Sequence, residues 1–149
     1  MSSERKFEFT NARYPGEQKL PERSTEGSAG YDFFCPIDIT LEPNCSMIIP
    51  TGVKAKMPNG EVLLLFNRSS NPTKRGLLML NGVGVVDSDY YSNPDNDGEI
   101  GFNLCNICKD PVTIKQGDKI GQGIFIPFML AEEKTPLLKR IGGFGSTGK

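Results

Sequence analysis

The chain has 149 residues, 37% of them hydrophobic, a one-domain length with enough apolar material for a packed core. A net charge of −1 and a pI near 5.5 exclude a broad nucleic-acid or membrane-surface face, which needs a basic patch, but leave room for a small anionic ligand held by a few Arg or Lys. Histidine is absent, so a Ser-His-Asp triad, a His-ligated zinc and a His general base are excluded and acid–base chemistry falls to carboxylates.

In chain order, the opening MSSERKFEF has no apolar leader region, and no run approaches the ~20 apolar residues of a membrane span, so a cytoplasmic protein is expected. Strand-sized apolar pieces follow: SMIIP, GVKAKM, EVLLLF, LLMLNGVGVV, EIGFNLCNI, PVTIKQG and KIGQGIFIPFML, punctuated by the turn signals PNG, NPDNDG and KQGD. No stretch sustains a 3.6-residue apolar period for more than about three turns, and 17 Gly with 11 Pro suit many corners. An all-β sandwich or barrel is predicted, as one domain over 1–149, with a core at about 20–130, a C-terminal arm at about 131–149 and polar ends. The best helix is short, Ser69 to Arg75, with the Ser pair as N-cap and Gly76 as the stop. Cys105 and Cys108 have C-x-x-C spacing, but Cys35 and Cys45 do not complete a second pair, and residues three apart on a strand face opposite ways. All four are expected to be small buried side chains of a reduced protein.

Two stretches carry chemistry. In NGVGVVDSDYYSNPDNDGEIGF, strand alternation would place the carboxylates of Asp87 and Asp89 on one face. The NPDNDG within it imitates a calcium loop through Asn93, Asp95, Asp97 and Gly98, but the position of the bidentate Glu is Leu104, so a polar turn is expected. In FNRSSNP, an Arg and two hydroxyls at the start of the short helix suggest an anion site or ordinary capping. The ending GGFGSTGK contains a P-loop-like G-x-x-x-x-G-K at Gly143, Gly148 and Lys149. A P-loop also needs a Ser or Thr after the Lys, a feeding strand and a following helix; any phosphate contact here falls to a mobile tail.

Taken together, AGYDFF (29–34), RSS (68–70), NGVGVVDSDY (81–90), GDKIGQ (117–122) and RIGGFGSTG (140–148) resemble the five ordered motifs of the trimeric dUTP diphosphatases, the dUTPases. That resemblance implies a jelly-roll-like (β-clip) barrel with a flexible C-terminal arm, a homotrimer with shared active sites, Mg²⁺ as cofactor, and cleavage of dUTP to dUMP and diphosphate. The arm of such proteins folds over a bound nucleotide, usually in a neighbouring subunit's site. By the same resemblance Asp87 holds the attacking water, and Asp32 reaches Mg²⁺ through its bound waters. Arg68, Ser69 and Ser70 clamp phosphates, with Gln122 as a further phosphate-side contact. Asn81 and the backbone of Gly84, Val85, Val86 and Asp87 read uracil, and Tyr90 packs under deoxyribose and leaves no space for a 2′-hydroxyl. On the arm, Phe144 stacks on uracil beside Gly145, while Ser146 and Thr147 meet the γ-phosphate with Arg140 favoured over Lys139 as its cation.

The sequence departs from the family pattern in three places. Tyr91 to Asp97 intervene before Gly98-Glu99, an insertion of about six residues that is expected to lengthen a turn without touching catalysis. Asn67 precedes motif two in place of Gly or Pro, and only Ile141 separates Arg140 from the Gly pair. A dCTP deaminase of the same fold is the nearby alternative, which the GGFGSTG arm and the VVDSDY stretch disfavour. A repressor-type protein partner at the Tyr91–Asp97 turn is a second role to weigh if the chain is of phage origin; neither nucleic acid nor membrane is expected as a partner.

Overall fold

The computed structural model describes residues 4–148, so Lys149, the last residue of the P-loop-like match, lies outside the described residues. Eleven strands build four small antiparallel sheets among the described residues. The largest has the order β2-β11-β6-β8, formed by Tyr31–Phe34, Lys119–Pro127, Glu61–Phe66 and Gly84–Val86. A second runs β4-β9-β7, from Ser46–Pro50, Gly101–Asn106 and Leu77–Met79. Two pairs complete the set: β1 (Lys6–Phe9) with β5 (Val53–Lys56), and β3 (Ile39–Leu41) with β10 (Val112–Ile114).

The strands follow the two-residue alternation of the pleat. Along β9, Phe102, Leu104 and Asn106 are buried while Gly101, Asn103 and Cys105 are half-buried. Phe33, Ile49, Leu63, Leu77, Phe102, Leu104, Ile114 and Ile120 meet in one core between the sheets. Glycine at position 121 is needed there, because a Cβ would run into the Phe102 ring, and the β11–β2 register shifts between Lys119 and Gly121 to make the approach. Fully buried Asn106 donates to the carbonyls of Leu41 and Asp110 at 2.9 Å each and accepts from the Cys108 amide at 2.8 Å, closing the β9–β10 connection.

Four local expectations change. Residues 6–9 are not part of a polar arm: Lys6–Phe9 pairs with β5, and Phe7 packs at 5.5 Å on Phe33. The run LLMLNGVGVV is two strands in different sheets, since the chain turns at Asn81–Gly82, with Gly82 at φ 69°, and crosses from β9's edge to β6's. The short helix is a single π turn, Asn71–Arg75, in which Ser70 makes no side-chain cap bond; Gly76 does stop it, at φ 64°. One π turn starting at Asn71 leaves no row of N-terminal amides at Ser69. Of the cysteines only Cys35 is buried, Cys45 is exposed, and Cys105 and Cys108 are half-buried at the sheet margin; all four are free.

Candidate active site

Strand β8 ends in the first of two clefts. Gly84 sits under β6, where a Cβ would lie 3.0 Å from that of Leu65, so glycine lets the backbone here lie close to its neighbour. Val86 is buried, and the chain leaves the strand at Asp87 into a 3-10 turn, Ser88–Tyr90. Asp87 and Asp89 are thus on a turn rather than a strand, yet they converge, because Arg140 bridges them: Nη2 lies 2.6 Å from Asp87 and Nε 2.8 Å from Asp89. Tyr90 folds inward, 8% exposed, its hydroxyl donating to the Glu99 carbonyl at 2.7 Å. Burial raises its pKa above the ordinary phenol value. The resulting cavity of about 240 Å³ is lined by Asn81, Gly84, Val85, Val86, Asp87, Tyr90, Arg140, Phe144, Gly145 and Thr147, with Gly143, Leu65, Ile100 and Gly101.

The arm closes this cleft. Its Arg140 lies 5.7 Å above the Tyr90 ring, and its pKa is raised by the hydrogen bond to Asp89 and the neighbouring carboxylate charges. Phe144 meets Tyr90 edge-on at 6.0 Å. The amide of Gly143 points at Asp95 Oδ2 at 3.4 Å, and Ser146 Oγ lies 3.5 Å from Arg140 Nη1. Within the single chain described, the arm lies over Asp87, held by two carboxylates and by the Asp95–Asn96 turn. Arg140 is accordingly on the carboxylate pair rather than set out toward a phosphate.

The second cleft, of about 360 Å³, is lined by Ser24, Ser28, Gly30, Asp32, Arg68, Ser69 and Gln122. Asp32 on β2 lies 3.2 Å from Lys119 and 3.7 Å from Arg68, and accepts from Ser24 Oγ at 2.8 Å. Gln122 on β11 donates to the Asn67 carbonyl at 3.2 Å. Asn67, the departure ahead of motif two, ties the corner together. Its Oδ1 accepts from the Arg68 amide at 2.9 Å and from Asn71 Nδ2 at 2.7 Å, while its Nδ2 donates to Leu77 O at 3.0 Å. Ser70 is not among the residues lining either cleft. Among the described residues there is no group of three or more Asp, Glu, Cys or His able to cage a metal. A lone carboxylate shared with Lys119 and Arg68 fits Mg²⁺ only through the ion's own waters, the ion being held chiefly by a ligand's phosphates.

The clefts share no lining residue. Asp32 on β2 and the end of β8 before Asp87 belong to opposite edge strands of the β2-β11-β6-β8 sheet, three strand spacings apart, roughly 14 Å at ~4.8 Å each, with Gln122 on β11 and Arg68 just past β6 between them. Sequence reading missed Lys119 and Ser24 as partners of Asp32, although Lys119 stands inside GDKIGQ; seeing them requires the β2–β11 pairing. The 91–97 insertion also reaches beyond its own turn. Asn93 is buried, with its Oδ1 accepting from the amides of Asp95 and Asn96, so NPDNDG is a polar turn as expected, but Asn96 Nδ2 donates to the Tyr90 hydroxyl at 2.8 Å. The insertion therefore touches a residue of the cleft.

Comparison with known proteins identifies the setting of these clefts. Residues 16–148 match the dUTPase family. The deoxyuridine 5′-triphosphate nucleotidohydrolase of Lactococcus lactis subsp. lactis is 47% identical over 131 residues, 87% of either chain. The dUTPase of Streptococcus mutans superposes with a TM-score of 0.81 at 43% identity, covering 85% of this chain and 98% of that one. A mutant dUTPase from phage phi11 of S. aureus, described with a coordinated structural Mg(II) ion, gives 0.70 at 25% identity, covering 89% and 96%. The architecture is the all-β, jelly-roll-like (β-clip) barrel of these proteins, with its short π turn between β6 and β7, and the chain belongs to the dUTPase family.

Proposed function

We infer that this chain hydrolyses dUTP to dUMP and diphosphate, which keeps uracil out of DNA and supplies dUMP for dTMP synthesis. The observation that carries the reading is the first cleft: a carboxylate at its mouth, bare strand backbone along one wall and a buried aromatic ring at its floor. In a chain without histidine, Asp87 is the base. Its carboxylate takes the proton as water oxygen bonds to the α-phosphorus, the α–β bridging P–O bond breaks, and diphosphate leaves with the electron pair. The main chain of Gly84 to Asp87 together with Asn81 reads the uracil edge, rejecting cytosine by its donor–acceptor pattern and thymine by lack of room for a methyl. Tyr90 takes the deoxyribose, and Phe144 stacks on the base from the arm. Arg140 turns from Asp87 and Asp89 to the γ-phosphate, where Ser146 and Thr147 join it.

Arg68, Ser69 and Gln122 hold phosphates, and Asp32 orders water around Mg²⁺. When bound to the triphosphate, Mg²⁺ offsets charge developing on its oxygens. Because the two clefts share no lining residue, a second copy that supplies one of them to the other would complete the site. We therefore place the shared sites in a homotrimer. Exposed apolar side chains on and next to strands β4 and β7, Ile48, Leu78 and Leu80 among them, give such an assembly apolar surface to bury. The 91–97 turn, weighed as a repressor contact, commits Asn93, Asn96 and Asp97 to internal bonds, which favours a role within the enzyme. Cytoplasmic residence fits a nucleotide substrate.

The test is incubation with each deoxynucleoside triphosphate and Mg²⁺, followed by separation of products. Diphosphate and dUMP from dUTP alone are expected. Ammonia from dCTP would turn the assignment to a deaminase, and no product from any of them would leave a binding protein.

A further inference from the structure

We propose that Asn96, inside the insertion, is a positioning residue for sugar selection: its amide locks the Tyr90 ring in the cleft floor and so sharpens discrimination between deoxyribose and ribose. This rests on the dUTP-hydrolysing reading and deepens it. The Tyr90 hydroxyl is bonded on both sides. It donates to the Glu99 carbonyl at 2.7 Å and accepts from Asn96 Nδ2 at 2.8 Å. Asn96 cannot turn over, since its Oδ1 accepts from Asn93 Nδ2 at 2.8 Å and from the Gly98 amide at 3.1 Å. Asn93 is itself fixed, 5% exposed, with Nδ2 also donating to the Tyr90 carbonyl at 2.9 Å. The amide orientation is therefore dictated by donors on one side and by an oxygen whose hydrogen is already spent on the other.

The insertion is also tied to the body at its far end. Asp97 pairs with Lys54 at 3.0 Å and accepts from the Asn11 amide at 2.9 Å. Gly98 packs so that a Cβ would lie 2.9 Å from the Tyr90 carbonyl, which draws the two ends of the turn together around the tyrosine. The backbone neighbours Asp97 and Asn96 are thus each tied by a side chain, Asp97 to Lys54 of β5 and Asn96 to the Tyr90 hydroxyl. A ring held at its tip cannot tilt away from the sugar, and the cost of admitting a 2′-hydroxyl depends on the ring staying in place. Release of the tip lets the ring yield, and ribose is then rejected less well while deoxyribose is handled as before.

The experiment measures kcat/KM for dUTP and for UTP in wild type, Asn96→Asp, Asn96→Ala, Tyr90→Phe and the double variants, with thermal melting of each. Asn96→Asp keeps the shape and both acceptor contacts of Oδ1 but replaces the donor that faces the hydroxyl. A hydrogen bond between uncharged groups predicts a fall of about five- to tenfold in the dUTP:UTP ratio for Asn96→Asp and Asn96→Ala. Tyr90→Phe is expected to lose as much, and adding either Asn96 change to Tyr90→Phe should cost nothing more. An unchanged ratio in folded Asn96→Asp, or losses that add in the double variants, would overturn the proposal. If the Asn96 variants do not fold, an unchanged ratio in Tyr90→Phe overturns it equally, and a matched loss there supports it. Wild type that cleaves no dUTP would instead strike the underlying functional reading.

Discussion

Replacing Asp87 by Asn separates two jobs of this carboxylate, the base proposed for it and the hold on one end of the arm through Arg140 at 2.6 Å. Loss of a general base costs at least about 10²-fold in kcat, or ~2.7 kcal/mol of barrier. The anchoring role is far smaller. The Asp87 side chain is 52% exposed, so solvent screens the pair to at most about 1 kcal/mol, and Asp89 still holds the guanidinium at 2.8 Å. Asp87→Asn should therefore lower kcat by 100-fold or more while KM moves by less than about fivefold. Asp89→Asn is the control, since it removes the other half of the Arg140 clamp and leaves the base. It should shift KM by a similarly small factor and leave kcat within about threefold of wild type. Stopped-time assays of diphosphate release over a dUTP series give both constants. If Asp87→Asn turns over at near the wild-type rate, or if Asp89→Asn falls as far, Asp87 is not the base and the two carboxylates act only on the arm.

Three further outcomes follow from the geometry. A methyl at Gly143 would lie 3.0 Å from Asn96 Nδ2 and 3.1 Å from Asp95 Oδ2, so Gly143→Ala should loosen arm closure and raise KM for dUTP severalfold with an unchanged melting temperature; unaltered KM would show that the arm does not seat there. The hydrogen bond from Lys54 lowers the pKa of Asp97 in the folded protein, which contributes stability present above the unfolded aspartate value and lost as pH falls through the folded one. Wild type should accordingly melt above Asp97→Asn at neutral pH, with the gap closing below about pH 4; a gap that persists at lower pH contradicts this pairing as its source. Finally, mixing Asp87→Asn with Arg68→Ala, each inactive alone, should restore about a quarter of wild-type activity on random reassembly if the two clefts of one site come from different chains of a closed ring. No recovery, with mixed assembly confirmed by mass, would mean that a single chain holds the whole site.

Local sequence carried the strands and the identity of the cleft residues, because both depend on short-range signals. EVLLLF and SMIIP are strands β6 and β4 with the limits read from their apolar runs and flanking turns. Asp87, Tyr90 and Phe144 come from separate segments of the chain, 81–90 and 140–148, and share one cleft. What the sequence hid was long-range. KFEF alternates charge with aromatic and reads as a charged tail until β5 is seen beside it, where Lys6 and Glu8 pair outward and Phe7 packs inward. LLMLNGVGVV looks continuous because its break at Asn81–Gly82 is a two-residue turn between sheets, with no change in hydropathy to mark it. The insertion NPDNDG looks like any polar loop, since nothing local reveals that Asn96 faces a tyrosine six residues earlier. Asp32 likewise stands alone in the sequence, whereas in the fold Ser24, Arg68 and Lys119 converge on it from three other segments.

The central claim, that water attacks the α-phosphorus of dUTP, is tested most directly by running the reaction in water enriched in oxygen-18 and locating the label by mass spectrometry. The account predicts one labelled oxygen in dUMP and unlabelled diphosphate. Label in the diphosphate, with unlabelled dUMP, would place the attack on the β-phosphorus and contradict the role given to Asp87.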